Sequence, residues 1–295
     1  MSELSRKMQI EFLAGDNRRD EGLVTPEDVV RYDNLSYGPD PVYHVLDVYR
    51  PKKEDGYLPV IVNVHGGGWV YGTKETYQFY GMNLAQRGFA VVNFSYRLAP
   101  ETKFPGPLED MNQVIQWMYD HAEEYKLDMD HVFAVGDSAG CNILGMYCSI
   151  CTDHEYAMEF PFVVPNVFRP KAIAMNCGAF RIFQPDGSVI WENDKILMQD
   201  YLPNGGDEKE RSLINVVDHI NPDFPPTFIM DAYGDFLLVE VPWLVEELVK
   251  KQVSYAVRIY GSKDQQLDHV FHVNIKHPVA KVCNDDECSF FKSYV

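Results

Sequence analysis

Gly136-Asp137-Ser138-Ala139-Gly140 follows His131-Val132-Phe133-Ala134-Val135, a short β-branched run that reads as a buried strand. The residues after it, Cys141 to Tyr147, read as a helix. Strand, tight turn and helix, with the serine of G-x-S-x-G at the apex, predict a nucleophile elbow that strains the serine backbone and lifts its hydroxyl above a sheet. Side chains at 136 and 140 would clash with the neighbouring strand and helix, which explains glycine at both positions. In a chain of this length the pattern arises by accident about one time in ten. Its meaning therefore depends on the rest of the sequence.

The chain has 295 residues, 46% hydrophobic and 13% aromatic, enough for a large core and for a single domain over 1–295. No run of about 18 apolar residues appears, so no membrane span is expected. Met1 to Met8 lack the apolar core of a signal peptide, and a cytoplasmic location is expected. A net charge of −18 argues against nucleic-acid binding and mildly disfavours anionic substrates. The six cysteines read as packed free thiols in a reducing compartment. Cys148 and Cys151 form a C-x-x-C without a second pair at zinc spacing, so no metal site is expected. Composition leaves open whether the chain forms a homo-oligomer.

Residues 1 to about 40 are polar and mixed and read as a helical or irregular arm. Strand-like and helix-like runs then alternate. Strands are expected at Tyr43–Tyr49, Val60–Val64, Phe89–Phe94, Lys171–Asn176, Thr227–Met230 and Tyr255–Ile259. Helices are expected at Tyr77–Arg87, Leu108–Glu124, Val239–Lys251 and Val279–Phe291. This alternation predicts an α/β fold with a mostly parallel, doubly wound sheet flanked by helices on both faces. Residues 180–223 break the rhythm and read either as a cap insertion or as a surface excursion with one helix.

Acyl transfer by Ser138 needs a base, a group that orients the base, and donors for the oxyanion. His65-Gly66-Gly67-Gly68-Trp69 follows the strand at 60–64, and its glycines let backbone N–H groups approach a substrate oxygen. Ala139 adds a further N–H at a helix start, where the dipole favours negative charge. The chain lacks a P-loop and a dinucleotide fingerprint, which removes the phosphate-cradle alternatives. Asp235, after the strand at 227–230, is the preferred acid over Asp231 and Glu240, with a helix N-cap as its bland role. Beyond it stand His269, His272 and His277. His269 is preferred, His272 is a rival, and His277 looks like the start of the last helix. Trp69 and Asp137, which flank the glycine loop and the serine, are candidates for substrate contact. The order Ser138, Asp235, His269 follows strand ends, where open α/β sheets bind ligands.

With these motifs in hand, the chain resembles the hormone-sensitive-lipase-like branch of the α/β-hydrolases, the acetyl esterase and carboxylesterase group, over roughly residues 40 to 275. The resemblance rests on residues 65–69, Ser95-Tyr96-Arg97-Leu98-Ala99-Pro100-Glu101, residues 136–140, Pro226 through Asp235, and His269-Val270-Phe271. Leu46-Asp47-Val48-Tyr49-Arg50-Pro51 looks like the start of related feruloyl and acetylxylan esterases. The resemblance implies an oxyanion hole from Gly67, Gly68 and Ala139, a structural role for Asp110, and hydrolysis of small short-acyl esters through an acyl-enzyme, without a cofactor. Formamidase-like amidases and peptidases share the fold, and gibberellin receptors of the same family lack the catalytic histidine. The presence of all triad types weighs against a receptor.

Overall fold

The computed structural model describes residues 1–165 and 168–295, and its strands form one eight-stranded sheet in the order β1-β2-β4-β3-β5-β6-β7-β8. The strands are β1 (Val29–Ser36), β2 (Val45–Pro51), β3 (Leu58–Val64), β4 (Ala90–Phe94), β5 (Leu127–Asp137), β6 (Ala172–Asn176), β7 (Thr227–Ala232) and β8 (Tyr255–Tyr260). β2 runs antiparallel to both β1 and β4, and every other pairing is parallel. The α/β fold class expected from alternation is thereby realised. Parallel strands covered on both faces are apolar over most of their length, which is how β3, β4 and β6 read, each with a single buried asparagine (Asn63, Asn93 and Asn176).

The helices are α1 (Glu3–Asp20), α2 (Gln78–Ala85), α3 (Gly106–Asp120), α4 (Ala139–Thr152), the single turn α5 (His154–Ala157), α6 (Glu192–Tyr201), α7 (Glu208–Ile214), α8 (Val241–Lys250) and α9 (Pro278–Lys292). Alternation along each strand divides the core. Val60, Val62 and Val64 of β3 join Met111, Ile115, Ile143 and Leu244 on one face. Ile61 joins Phe133, Tyr80, Leu84 and Phe291 on the other.

Two regions differ from the sequence reading. Val29–Ser36, within the supposed arm, forms edge strand β1 against β2. Its residues are mostly exposed or half-buried, so no apolar run announces it. Residues 180–223 hold two helices, α6 and α7, rather than one. α6 lies against α1: Asp200 accepts from Ser2 N (2.8 Å) and Ser5 Oγ (2.6 Å).

Register brings the carboxyl ends of the central strands level. Val64 pairs with Gly136, Asp137 with Asn176, and Asn176 with Met230. The residues that follow β3, β5 and β6, namely His65, Ser138 and Cys177, therefore leave the sheet close together, while β7 stays paired to β8 through Ala232.

Candidate active site

Ser138 joins β5 to α4 with φ 51° and ψ −120°, a region that non-glycine residues rarely enter and that costs on the order of 1–3 kcal/mol. Both flanking glycines are forced by backbone. A Cβ on Gly140 would lie 2.1 Å from the Val64 carbonyl oxygen, and one on Gly136 would lie 2.7 Å from the Gly140 oxygen. The Ser138 N–H donates to the carbonyls of Asn176 (3.1 Å) and Cys177 (3.2 Å), which pins the turn to the end of β6.

The glycine loop after β3 needs its glycines for conformation as well as for access. Gly67 has φ +119°, and a Cβ there would sit 2.1 Å from the Tyr71 oxygen; Gly68 has φ +60°. Among the described residues, the N–H groups of Gly67, Gly68 and Ala139 donate to nothing in the chain. Three unspent donors beside a partly exposed serine are what an oxyanion requires. The loop is held from beneath by the stretch 95–101. The Tyr96 ring stacks on His65 at 4.0 Å and its hydroxyl donates to the His65 carbonyl (2.9 Å). Arg97 is fixed by buried Asp110, which accepts from Arg97 N and Nε at 2.8 Å each. Burial lowers His65 to about 4, so it stays a neutral packing element.

Asp235 follows β7 and His269 follows β8, and the two meet: His269 Nδ1 lies 2.7 Å from Asp235 Oδ2. Asp235 Oδ1 also accepts the Leu237 N–H (2.8 Å), so it caps the short 3₁₀ helix Phe236–Glu240 while facing the imidazole. Burial favours its neutral form, but His269 and the Leu237 N–H outweigh burial and hold the carboxyl below its ordinary value. The His269 side chain remains 27% exposed while that of Asp235 is sealed, the arrangement of a base that must reach a substrate and an acid that must not. Phe236, itself half exposed, lies 4.8 Å from the His269 ring and 6.0 Å from Trp191.

The alternative candidates make no hydrogen bond to this pair. His272 is buried with neither ring nitrogen bonded, edge-on to Tyr80 at 5.1 Å. Burial lowers it to about 3. His277 caps α9, accepting the Val279 N–H. Asp231 is buried and pushed up to about 7, by burial and then by Asp235. Glu240 accepts the N–H groups of Phe180 and Arg181 and meets no histidine.

Trp69 and Asp137 are both buried. Trp69 stacks on Tyr201 of α6 at 5.2 Å. Asp137 accepts from the Tyr77 hydroxyl (2.6 Å) and the Gly66 N–H (3.2 Å), tying the elbow to the glycine loop. Burial pushes it up to about 7. Behind it, Glu287 takes hydrogen bonds from Tyr80 (2.8 Å) and Asn176 (2.6 Å).

Sequence reasoning missed two contributors. Cys177 has its sulfur, an Asp235 oxygen and a His269 nitrogen within 4.8 Å of one another. Burial holds its thiol well above the ordinary value, so the sulfur stays protonated and offers no thiolate to a metal. Helix α1 reaches the loop as well: a Cβ on Gly68 would meet Met8 Cε at 2.8 Å and Leu197 Cδ1 of α6 at 3.8 Å, and Gln9 donates to the Val70 carbonyl (2.8 Å). Only the N-terminal helix itself carried a local signal.

The family model BD-FAE matches residues 46–241. An esterase of Gibberella moniliformis is 30% identical over 76% of this chain and 67% of its own length. Carboxylesterase NlhH of Mycobacterium tuberculosis is 35% identical over 43% of this chain and 38% of its own length. Among solved structures, esterase B of Lactobacillus rhamnosis in a C6-C4 SN3 inhibited form superposes with a TM-score of 0.88 at 24% identity, covering 98% of this chain and 95% of that one. The chain belongs to the BD-FAE family and is an α/β-hydrolase of the carboxylesterase class.

Proposed function

We propose that the chain hydrolyses small, short-acyl carboxylic esters through an acyl-enzyme on Ser138. The observation that carries this reading is the His269–Asp235 hydrogen bond at the same carboxyl end of the strands as a strained serine and three unspent N–H donors. Ser138 Oγ attacks the ester carbonyl carbon while His269 Nε2 takes its proton. The oxyanion is held by the N–H groups of Gly67, Gly68 and Ala139. His269 returns the proton to the leaving alcohol, water then attacks the acyl-enzyme with His269 as base again, and Ser138 is regenerated. Asp235 orients the imidazole and stabilises its charged form. No step calls for a metal or an organic cofactor.

In this reading residues 1–295 act as one hydrolase domain, and α1 with α6 forms a small cap over the glycine loop, supported by the Asp200 and Trp69 contacts. Among the described residues no helix is long and apolar enough to cross a membrane. A reducing, cytoplasmic setting is supported by six buried, unpaired cysteines. The charge of −18 supports a small-molecule partner over a nucleic acid.

Turnover of p-nitrophenyl acetate tests the reading. Ser138→Ala and His269→Ala should each lower kcat by about 10⁴-fold or more and abolish fluorophosphonate labelling, with thermal melting unchanged. His272→Ala should remain active, because its ring touches no triad member through a hydrogen bond. A dead His272→Ala beside an active His269→Ala would sink the assignment.

A further inference from the structure

Cys177 sits where the three triad segments converge. It follows β6 directly, between the strand that ends in the elbow and the strand that leads to Asp235. Its carbonyl accepts the Ser138 N–H at 3.2 Å, and its own N–H donates to the Met230 carbonyl at 2.7 Å. Its sulfur lies within 4.8 Å of both the Asp235 carboxylate and a His269 ring nitrogen. The side chain is wholly buried.

Its backbone has φ 47°, and Val270, next to His269, has φ 53°. Left-handed backbone at a cysteine and at a β-branched residue costs on the order of 1–3 kcal/mol each and persists only where the surroundings impose it. Glycine would relieve the strain at 177 but would leave the space beside Asp235 without a donor.

The Asp235 carboxylate is sealed from water, so its lone pairs must be met from within the chain. Oδ2 faces His269 Nδ1 and Oδ1 accepts the Leu237 N–H. Each carboxylate oxygen therefore keeps accepting capacity, and the Cys177 sulfur lies within 4.8 Å of one of them. The nearby titratable groups are Asp231 and His272. Asp231 accepts the Ala232 N–H and offers the carboxylate no donor bond, and the His272 ring bonds to nothing.

We propose that Cys177 is a positioning residue of the triad, its thiol donating to the Asp235 carboxylate and holding it in line with the His269 imidazole. The thiol is suited to this role because burial keeps it protonated. It is a fixed donor, not a second nucleophile. A hydrogen bond to a charged carboxylate in a dry site is stronger than one between neutral groups, and here it acts through Asp235 on the base. The inference rests on the Ser138–His269–Asp235 reading above.

The test compares Cys177→Ala and Cys177→Ser with the wild-type chain on p-nitrophenyl acetate across pH, together with the low-field proton resonance of the His269–Asp235 hydrogen bond recorded without substrate. Cys177→Ala should lower kcat about tenfold at nearly constant KM, the size expected for losing one hydrogen bond to a charged group. With one donor fewer the carboxylate becomes more basic, so the acid limb of kcat/KM should move to higher pH and the low-field resonance should shift. Cys177→Ser, which restores an O–H donor, should recover most of kcat. Wild-type kcat with an unmoved limb in Cys177→Ala overturns the proposal. So does a Cys177→Ser variant as slow as Cys177→Ala with the resonance in its wild-type place. Should Cys177→Ala not fold, the resonance and kcat of Cys177→Ser decide alone. A wild-type chain without Ser138-dependent esterase activity would instead overturn the underlying reading, and the resonance would still report on the contact between Cys177 and Asp235.

Discussion

The turn that carries Ser138 and the helices that lie over Gly68 are held by different kinds of contact. Beneath the serine the constraint is backbone against backbone. Gly140 abuts the Val64 carbonyl, Gly67 abuts the Tyr71 carbonyl, and strand register sets the level at which each reactive residue leaves the sheet. Above the loop the constraint comes from side chains of distant sequence. Asp200 binds Ser2 and Ser5, Trp69 stacks on Tyr201, and Met8 and Leu197 lie over Gly68. Backbone packing cannot adjust without moving a strand, whereas side-chain clips can be broken singly. The lower layer is therefore the rigid part, and it carries the residues proposed for catalysis. In the proposed reading the upper layer is a cap, and its side-chain clips make it the part more easily opened.

The largest effect should come from the lower layer. Gly140→Ala places a Cβ against the Val64 oxygen. It should cost about 2–3 kcal/mol of stability as overpacking against backbone, read as a lower urea midpoint, and about 10²-fold in kcat through displacement of Ser138. Near wild-type values on both would mean that the elbow is more compliant than its contacts indicate. Asp200→Ala should give a smaller and different result. It removes the Ser2 and Ser5 bonds, so α1 should be cut faster by protease and KM for apolar esters should change several-fold, with kcat within about twofold. A loss of kcat comparable to that of Gly140→Ala would erase the distinction between the layers.

The smallest effect concerns the polar groups behind the triad. Burial pushes Glu287 up to about 7 from an ordinary value of 4.5. Its folded pKa is raised, so its contribution to stability is complete below about pH 4.5 and is lost as pH rises through about 7. Glu287→Gln keeps the shape and partners for Tyr80 and Asn176 but carries no proton to lose. The melting temperature of the variant should therefore fall less than that of the wild type between pH 5 and 8. Parallel curves for the two would show that Glu287 does not titrate in this window.

How far the sequence could be read follows the same division. The strand ends, both glycine loops and the candidate triad were visible because each rests on local chemistry: β-branched runs, glycines at forced positions, and polar residues directly after apolar strands. His269 and His272, three residues apart, looked alike until tertiary structure gave one an acid and left the other without a hydrogen bond. β1 escaped notice because an edge strand with one open face has no apolar run. The covering role of α1 escaped because Ser2 and Gln9 meet their partners 198 and 61 residues away, in the Ser2–Asp200 and Gln9–Val70 bonds. Cys177 carried no signal at all, since a buried cysteine after a strand looks like any other packed thiol.

All six cysteines are buried, and each thiol is held above its ordinary value by burial. The chain consequently contains its own clock for opening. In the native state a maleimide finds no accessible thiolate, so the rate of alkylation at each cysteine records how often that part of the structure comes apart. Cys177 times the triad, Cys141 and Cys148 time α4, and Cys283 and Cys288 time α9. Mass spectrometry of partly labelled protein would then rank the order in which these regions open.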